Sequence, residues 1–598
     1  MCGLVFVLSK KKITQSRIKD TLKEMKSRGP DAQSFIEEKI KKNNLLFLFS
    51  RLSIIDLNKR SNQPFKKKNC ILIFNGEIYN FCEIKNFLKS KKIIFKTNSD
   101  TEVLLESYKY WGEKFVNQLN GMWSFVLYDK KEKKIIISRD KYSEKPLFYF
   151  ADKNRVIFAS ETKYIKSILP NLSKINKEKI KENIQYGYKS LFLNSDFFWK
   201  HIKTFPANGF LKINLEEKIN FRIKKKISIK SNNIFSDKKK LNTRNLLIDS
   251  LKIRMRSDVP IAFSLSGGID SNILAGIASK IFNEEIFSYS ILDLDPRYNE
   301  KKMIDYVVKK NKYNHKYINI SSYDHFLELI KVTKYFNSPI PTINFLVQNY
   351  LMKEVHKDKK KVLISGIGAD EIFTGYYHHY NFYFNEHGKK FSNNYQKWRS
   401  KILPNVRNKK FQEVSKLDKK DYLHDDNRYL IKRPNKKFLY PTNRLSNDNL
   451  KNRLLNELYF DTVPVMTYSE DLNSMMYSVE NRNPYLDKNL INYVNSINSK
   501  NYIQNGFSKY LLRSSFQDLG INKIINNYKK TGFNYSFRTL FSSTDKRILN
   551  FIKKKSLLFD LVKKDETIKL FEKNKLNDVE NKLAFSVITT KVFLDYCL

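Results

Sequence analysis

At 598 residues the chain is about four times the commonest domain size of roughly 100–150 residues, so two to four hydrophobic cores are expected instead of one. A composition of 41% hydrophobic and 14% aromatic residues excludes a wholly disordered or collagen-like chain. The formal net charge of +50 raises nucleic acid or an anionic membrane as a partner, but lysine triplets at 10–12, 66–68, 224–226, 238–240, 359–361 and 553–555 are dispersed, which favours solvated charge over a basic nucleic-acid-binding protein.

Taken in chain order, apolar runs predict strands over 3–9, 45–56, 70–74, 122–129, 134–139, 147–150, 155–160 and 210–213, with amphipathic helices over 13–28 and 101–111. Many strands and few helices across 1–221 imply a layered α+β domain of packed sheets. Residues 222–242 are polar, lysine-rich and aperiodic, and read as a linker. From 243 to 598 the order becomes strand then helix: 261–265 with 272–282, 286–292 with 301–311, and 361–365 with 372–380. That alternation implies a parallel, doubly wound α/β sheet whose ligand lies beyond the carboxyl ends of its strands. Residues 381–456, rich in Asn, Lys, Asp and Tyr, read as an insertion, and the part from 457 onward as mostly helical. Four cysteines, Cys2, Cys70, Cys82 and Cys597, are too few for a disulfide framework or a zinc site. With no uninterrupted apolar run of about 18 residues, the reading is a cytoplasmic protein without a membrane span.

Cys2 follows the initiator Met1, whose removal leaves a thiol and a free α-amine on one residue. An α-amine of pKa about 7.7–8.0 can serve as base for its own side chain. Downstream stand Arg28-Gly29-Pro30-Asp31, Arg51-Leu52-Ser53-Ile54-Ile55-Asp56, Asn75-Gly76-Glu77-Ile78-Tyr79-Asn80, Ser99-Asp100-Thr101-Glu102 and Arg139-Asp140. In this order, the motifs resemble the class II glutamine amidotransferase domain of asparagine synthetases, an Ntn-hydrolase fold of two stacked sheets flanked by helices. The resemblance implies that Cys2 attacks the side-chain amide of glutamine. Asn75 and the backbone N–H of Gly76 would form the oxyanion hole. Arg51 would hold the glutamine α-carboxylate, and Glu77 and Asp100 its α-ammonium.

In the second half, an apolar strand runs into Ser266-Gly267-Gly268-Ile269-Asp270-Ser271 and then a helix, a place where backbone N–H groups face an anion. The Gly-Lys-Ser/Thr of a Walker motif is missing. The string instead resembles the PP-loop of ATP pyrophosphatases, which adenylate a carboxylate and release pyrophosphate. Ser365-Gly366-Ile367-Gly368-Ala369-Asp370-Glu371 resembles the neighbouring loop of the same family. The likeness implies that Asp270 and Asp370 hold Mg²⁺ on the phosphates of ATP, with Ser264, Ile291, Ser365 and Gly366 around adenine and ribose. Glu480-Asn481-Arg482-Asn483-Pro484-Tyr485-Leu486-Asp487 approximates a segment beside the synthetase site. Lys530, next to Lys529, matches a lysine that stabilises charge during adenylation.

The chemistry implied is hydrolysis of glutamine at Cys2, passage of ammonia through an internal tunnel, adenylation of aspartate and release of asparagine, AMP and pyrophosphate. A homodimer with glutamine, ATP and aspartate as small-molecule substrates goes with the resemblance. One departure stands out: Ile367 occupies the place of a glutamate common in bacterial asparagine synthetases, and isoleucine can neither take a proton nor bond an amine. The departure leaves open the same machinery acting on another carboxylate, such as a surface-sugar uronate or a peptide.

Overall fold

The computed structural model describes residues 2–172, 174–216, 223–225, 239–292, 295, 299–388, 393–406, 408–414, 427–434, 443–529 and 535–598. In chain order the first strands are β1 (Gly3–Ser9), β2 (Ala32–Ile40), β3 (Asn43–Arg51), β4 (Phe65–Lys67), β5 (Cys70–Ile78), β6 (Gly121–Asp129), β7 (Lys134–Arg139), β8 (Phe148–Ala151), β9 (Arg155–Ala159), β10 (Lys203–Thr204), β11 (Gly209–Asn214) and β12 (Lys224–Lys225). They form two six-stranded sheets, ordered β10-β8-β9-β1-β3-β2 and β12-β11-β7-β6-β5-β4. Every strand pairing in them is antiparallel.

The period of two along each strand builds the layers. Leu4, Phe6 and Leu8 of β1 pack with Phe47, Ile73 and Ile137 between the sheets, while Val5 and Val7 turn the other way against Ile18 and Met25 of the helix Gln15–Met25. Both faces of β1 are therefore buried, which is why its sequence is an unbroken apolar run. On the far side of the second sheet, Leu72, Phe74 and Phe125 pack under the helices Phe81–Ser90 and Asp100–Trp111. The result is the expected four-layer α+β sandwich.

Five more strands, β13 (Ile261–Ser264), β14 (Phe287–Leu292), β15 (Asn314–Asn319), β16 (Val362–Ile364) and β17 (Glu480–Arg482), make a parallel sheet ordered β15-β14-β13-β16-β17. The chain winds outward from β13 through β14 to β15, then restarts at β16 on the opposite flank. The strand order reverses between β13 and β16, and at such a switch point the following loops part to leave a crevice. The core that holds Val5 and Val7 continues through Leu346, Tyr350 and Leu363 to Val587 and Phe593 of the C-terminal helix Asp578–Tyr596, so the sandwich and the parallel sheet share buried contacts.

Two expectations need correction, and two others are met by the described residues only in part. The strand expected over 45–56 ends at Arg51, because the next residues fold around the Arg51 guanidinium. The helix expected over 372–380 is two helices, Ala369–Phe373 and Tyr377–His387, parted at Thr374 and Gly375; Thr374 has φ 65°, and a Cβ on Gly375 would lie 1.6 Å from Asp370 Oδ1. Of the linker expected over 222–242, Lys224–Lys225 form β12 and residues 239–242 open the helix Lys239–Arg254, while 222 and 226–238 lie outside the described residues. Within the stretch read as an insertion, 381–456, Tyr383, Phe384, Trp398, Leu450 and Leu454 pack in the core beside Phe263, Ile273 and Ile364, while 389–392, 407, 415–426 and 435–442 lie outside the described residues.

Candidate active sites

Cys2 precedes β1, and Asn75 to Glu77 occupy the end of β5. The Cys2 backbone N–H donates to Asn75 Oδ1 at 2.9 Å, and Cys2 Sγ lies 3.9 Å from the Leu52 carbonyl. Asn75 is wholly buried, and its Nδ2 has no partner among the described residues. An unmet donor in such a place points to a ligand acceptor. Gly76 has φ +148°, and a Cβ there would come within 2.0 Å of the Met122 carbonyl oxygen, so only glycine lets β5 approach β6 this closely. Burial pushes the Cys2 thiol up, which keeps it neutral at rest.

Two carboxyl groups stand at the same end of the sandwich. Asp100 opens the helix Asp100–Trp111 behind its N-cap Ser99, and its Oδ2 accepts from Ile78 N–H at 2.9 Å. Burial raises Glu77 well above the usual carboxylate range, and raises Asp100 to about 6. Arg51 is also buried, but its guanidinium donates to the carbonyls of Ile55, Asp56 and Asn58 and to Asn62 Oδ1 at 2.5–3.3 Å. It thereby shapes the loop that lines the site.

Two residues reach this end from β17. Arg482 Nε bonds Glu480 Oε1 at 2.6 Å, and Arg482 Nη2 lies 3.7 Å from Glu77 Oε1. After burial, the Glu480 charge adds to the upward push on Glu77, on Asp100 and on the Cys2 thiol. Sequence reasoning put this segment beside the second site only; Glu480 and Arg482 face the first, while Asn481 and Asn483 turn the other way, toward Ser365 and Glu144. A further bridge is Arg28, whose Nε donates to the Cys2 carbonyl at 3.0 Å while Nη1 and Nη2 bond Asp471 at 2.6 and 3.2 Å. Nη1 also meets Glu161 at 3.1 Å.

The loops after β13 and β16 meet at the switch point. Ser266 to Gly268 lead into the helix Ile269–Lys280. The Ser266 and Gly268 N–H groups donate to the Ser271 and Ser266 hydroxyls, and Gly267 N–H donates to Glu300 Oε2 at 2.9 Å. A Cβ on Gly366 would lie 3.1 Å from the Cβ of Asp270, so the two loops touch. Ser264 and Ile291 stand half-buried on β13 and β14, and the Ser365 hydroxyl donates to Asn483 Oδ1 at 2.7 Å. Ile367 packs against the apolar core on this side of the sheet.

Asp270 and Asp370 converge on a lysine that sequence reasoning missed. Lys509 Nζ lies 2.6 Å from Asp270 Oδ2 and 2.5 Å from Asp370 Oδ1. The two carboxylates outweigh burial and hold the ammonium above its ordinary pKa. Lys509 has φ +55°, a left-handed backbone rare for a residue with a Cβ and frequent where function fixes a side chain. In so basic a chain a single lysine carries little signal; its place just before the apolar helix Tyr510–Ser515, apart from the lysine triplets, was the available clue. Lys529 is exposed, and Lys530 lies outside the described residues.

Among the described residues, one group has the spacing of metal ligands: His378, His379 and Glu457, all buried. Tyr376 N–H donates to His379 Nδ1, which leaves the proton on Nε2 for Glu457 Oε2 at 2.7 Å, and Arg453 bonds the same carboxylate at 3.0 Å. Burial keeps His378 neutral, with its pKa lowered to about 3. These groups satisfy one another, and the adjoining guanidinium disfavours a dication.

Comparison with known proteins gives two family matches. Residues 1–222 match the model of a glutamine amidotransferase domain, and residues 242–587 match that of asparagine synthase. The chain belongs to the asparagine synthase family. This is a family of ATP-dependent ligases that draw nitrogen from glutamine. Among its relatives, asparagine synthetase [glutamine-hydrolyzing] 1 of Bacillus subtilis (strain 168) is 28% identical over 97% of this chain and 94% of its own length. The putative asparagine synthetase [glutamine-hydrolyzing] 2 of Methanocaldococcus jannaschii is 30% identical over 64% of this chain and 77% of its own. A differently named relative, amidase chry2 of Gibberella zeae, is 28% identical over 54% of this chain and 50% of its own. No helix among the described residues is long and apolar enough to cross a membrane.

Proposed function

We propose that the protein is a glutamine-dependent asparagine synthase. The observation that carries this reading is the convergence of Asp270 and Asp370 on one ammonium at the switch point, in the same molecule as a terminal thiol held against Asn75. Once Met1 is removed, the nitrogen 2.9 Å from Asn75 Oδ1 becomes an α-amine able to take the thiol proton as sulfur attacks the glutamine amide. Asn75 Nδ2 and the Gly76 N–H then receive the developing oxyanion. Ammonia leaves, and water clears the thioester. Glu77 and Asp100 would pair with the α-ammonium of glutamine once both are charged, and Arg51 would face its α-carboxylate.

At the second site the carboxylates of Asp270 and Asp370 offer hard oxygen donors close enough together to share a cation, which fits Mg²⁺. When bound, Mg²⁺ would neutralise phosphate charge and orient the phosphates. The N–H groups of the Ser266–Gly268 turn and the helix behind it suit pyrophosphate, with the Glu300 carboxylate now standing where an anion would bind. Ser264, Ile291, Ser365 and Gly366 would flank adenine and ribose. Lys509 would stabilise charge as aspartate displaces pyrophosphate.

A second reading keeps all of this and changes the acceptor, because Ile367 offers no polar atom toward an acceptor or an attacking amine. The deciding experiment is an acceptor screen read out as AMP release with glutamine or ammonium as nitrogen source. AMP release and amide formation with aspartate support the first reading; release only with a uronate or peptide carboxylate supports the second. Failure of every acceptor with glutamine hydrolysis intact refutes both.

A further inference from the structure

Between the two sites lies a buried polar cluster that neither uses. Glu144 comes from the β7–β8 connection, Glu470 from the helix Val463–Met475, and Asn481 and Asn483 from β17. Asn483 is the hub: its Nδ2 donates to Glu144 Oε2 at 3.3 Å, and its Oδ1 accepts from Ser365 Oγ at 2.7 Å and from Asn481 Nδ2 at 2.9 Å. Glu470 faces Ser365 and accepts from Gln348 Nε2 at 3.0 Å. The cluster touches both centres. Ser365 leads into the loop that ends at Asp370, and Asp471, next to Glu470, is one arginine away from the Cys2 carbonyl.

Three oxygens here have no partner among the described residues. Glu144 Oε1, Asn481 Oδ1 and Glu470 Oε2 are buried, on residues only 2%, 3% and 1% exposed. Buried acceptors are met almost without exception, by protein or by something held between. Burial also lifts Glu144 and Glu470 to about 8 each, so near neutrality both carry a proton. A neutral carboxyl and two open carbonyl-type oxygens suit one small guest with N–H donors and a lone pair.

We propose that Glu144, Glu470 and Asn481 form a buried holding site for ammonia on its way from Cys2 to the adenylating centre. The inference rests on the reading of the protein as a glutamine-dependent ligase and adds a stop between its two reactions. The Glu144 O–H, on the Oε1 that Asn483 leaves free, donates to the ammonia lone pair, and the ammonia N–H groups donate to Asn481 Oδ1 and Glu470 Oε2. Guest and carboxyl then share one proton, so the net charge of the cluster does not change whichever partner holds it. The site would retain ammonia while the acceptor is being adenylated, and would replace hydration that a dry passage removes.

The test uses the full-length enzyme with unlabelled glutamine, ATP, acceptor and ¹⁵N-ammonium in the buffer. Two quantities are read: glutamine cleaved per AMP, and the share of product amide carrying ¹⁵N. In Asn481→Leu and Glu144→Leu, glutamine cleaved per AMP rises at least threefold and ¹⁵N enters the product, while glutamine hydrolysis and the rate at saturating ammonium change less than twofold; Glu144→Gln, which keeps a hydrogen-bond donor, lies between. Coupling as tight as in the wild type would mean an internal water only and overturns the proposal. So would glutamine-driven and ammonium-driven rates falling together with thermal stability. A wild-type enzyme that joins no glutamine nitrogen to any acceptor refutes the ligase reading itself, a result distinguishable because it precedes any substitution.

Discussion

Asp270 and Asp370 stand on different loops yet grip one ammonium, at 2.6 and 2.5 Å from Lys509 Nζ. The reversal of strand order between β13 and β16 brings them together, and the left-handed backbone of Lys509 aims its side chain between them. Removing a preorganised positive group from a site of developing phosphate charge costs about 10²–10³ in rate. Lys509→Met is therefore expected to lower acceptor-dependent AMP release by about that factor and to leave glutamine hydrolysis within twofold, measured on the same preparation. Chelation of Mg²⁺ is expected to divide the two activities in the same way.

At the other centre the open Nδ2 of Asn75 is the test. Asn75→Ala is expected to reduce glutaminase kcat about 10²–10³-fold with a smaller change in KM, as for loss of one oxyanion donor. Cys2→Ala is expected to abolish glutamine hydrolysis altogether. Both variants should still use ammonium, and steady-state rates with each nitrogen source check the division.

The acid side of the pH profile follows from Asp100. Its pKa in the folded protein, about 6, is raised above the ordinary 3.8, so the native state binds a proton over this interval that the unfolded chain releases. This contribution to stability is present below about 4 and is lost as pH rises through about 6. Glutamine capture has the opposite need, since an α-ammonium pairs only with the charged carboxylate. Glutaminase kcat/KM is expected to rise with pH through about 6 as Asp100 ionises, with the raised Glu77 extending the rise, a limb that ammonium-driven synthesis at fixed free ammonia lacks.

Glu480 adds a negative charge beside Glu77 and Asp100 from the parallel sheet. Glu480→Gln removes that charge, so the same limb is expected to move to lower pH. An unchanged limb in a well-folded variant would show that β17 does not influence the glutamine pocket.

Arg28 is wholly buried and bonded to Asp471, Glu161 and the Cys2 carbonyl. Removing one partner of such a pair strands the other's charge, at about 3–5 kcal/mol. Arg28→Ala is expected to lower the melting temperature accordingly, and the double variant Arg28→Met with Asp471→Leu to recover part of the loss.

Elements buried on both faces were the most legible: β1 and β7 fall on the expected residues because an unbroken apolar run has few alternatives. β2 escaped because its face is mixed and half-exposed, whereas the helix Phe81–Ser90 carries ordinary signals of a helix start, Asn80 and Glu83, that went unread. At the sites, short motifs singled out Cys2 and Asn75, which lie against each other, and Asp270 and Asp370, which share Lys509. Lys509, Glu480 and Arg28 were hidden for a common reason. Each is an ordinary charged residue made special by what lies opposite it across the fold, and that relation has no local signature.

The shortness of β17 carries a last consequence. In three residues it presents one pair of side chains to the thiol end of the sandwich and, from its other face and the next position, a pair of asparagines toward Ser365 and Glu144. Excising the first 221 residues as a stand-alone catalyst would strip away the wall formed by Glu480 and Arg482 and leave the Arg28 guanidinium without Asp471. The two halves are thus poor candidates for swapping with counterparts from other enzymes, since each would leave behind part of the other's lining.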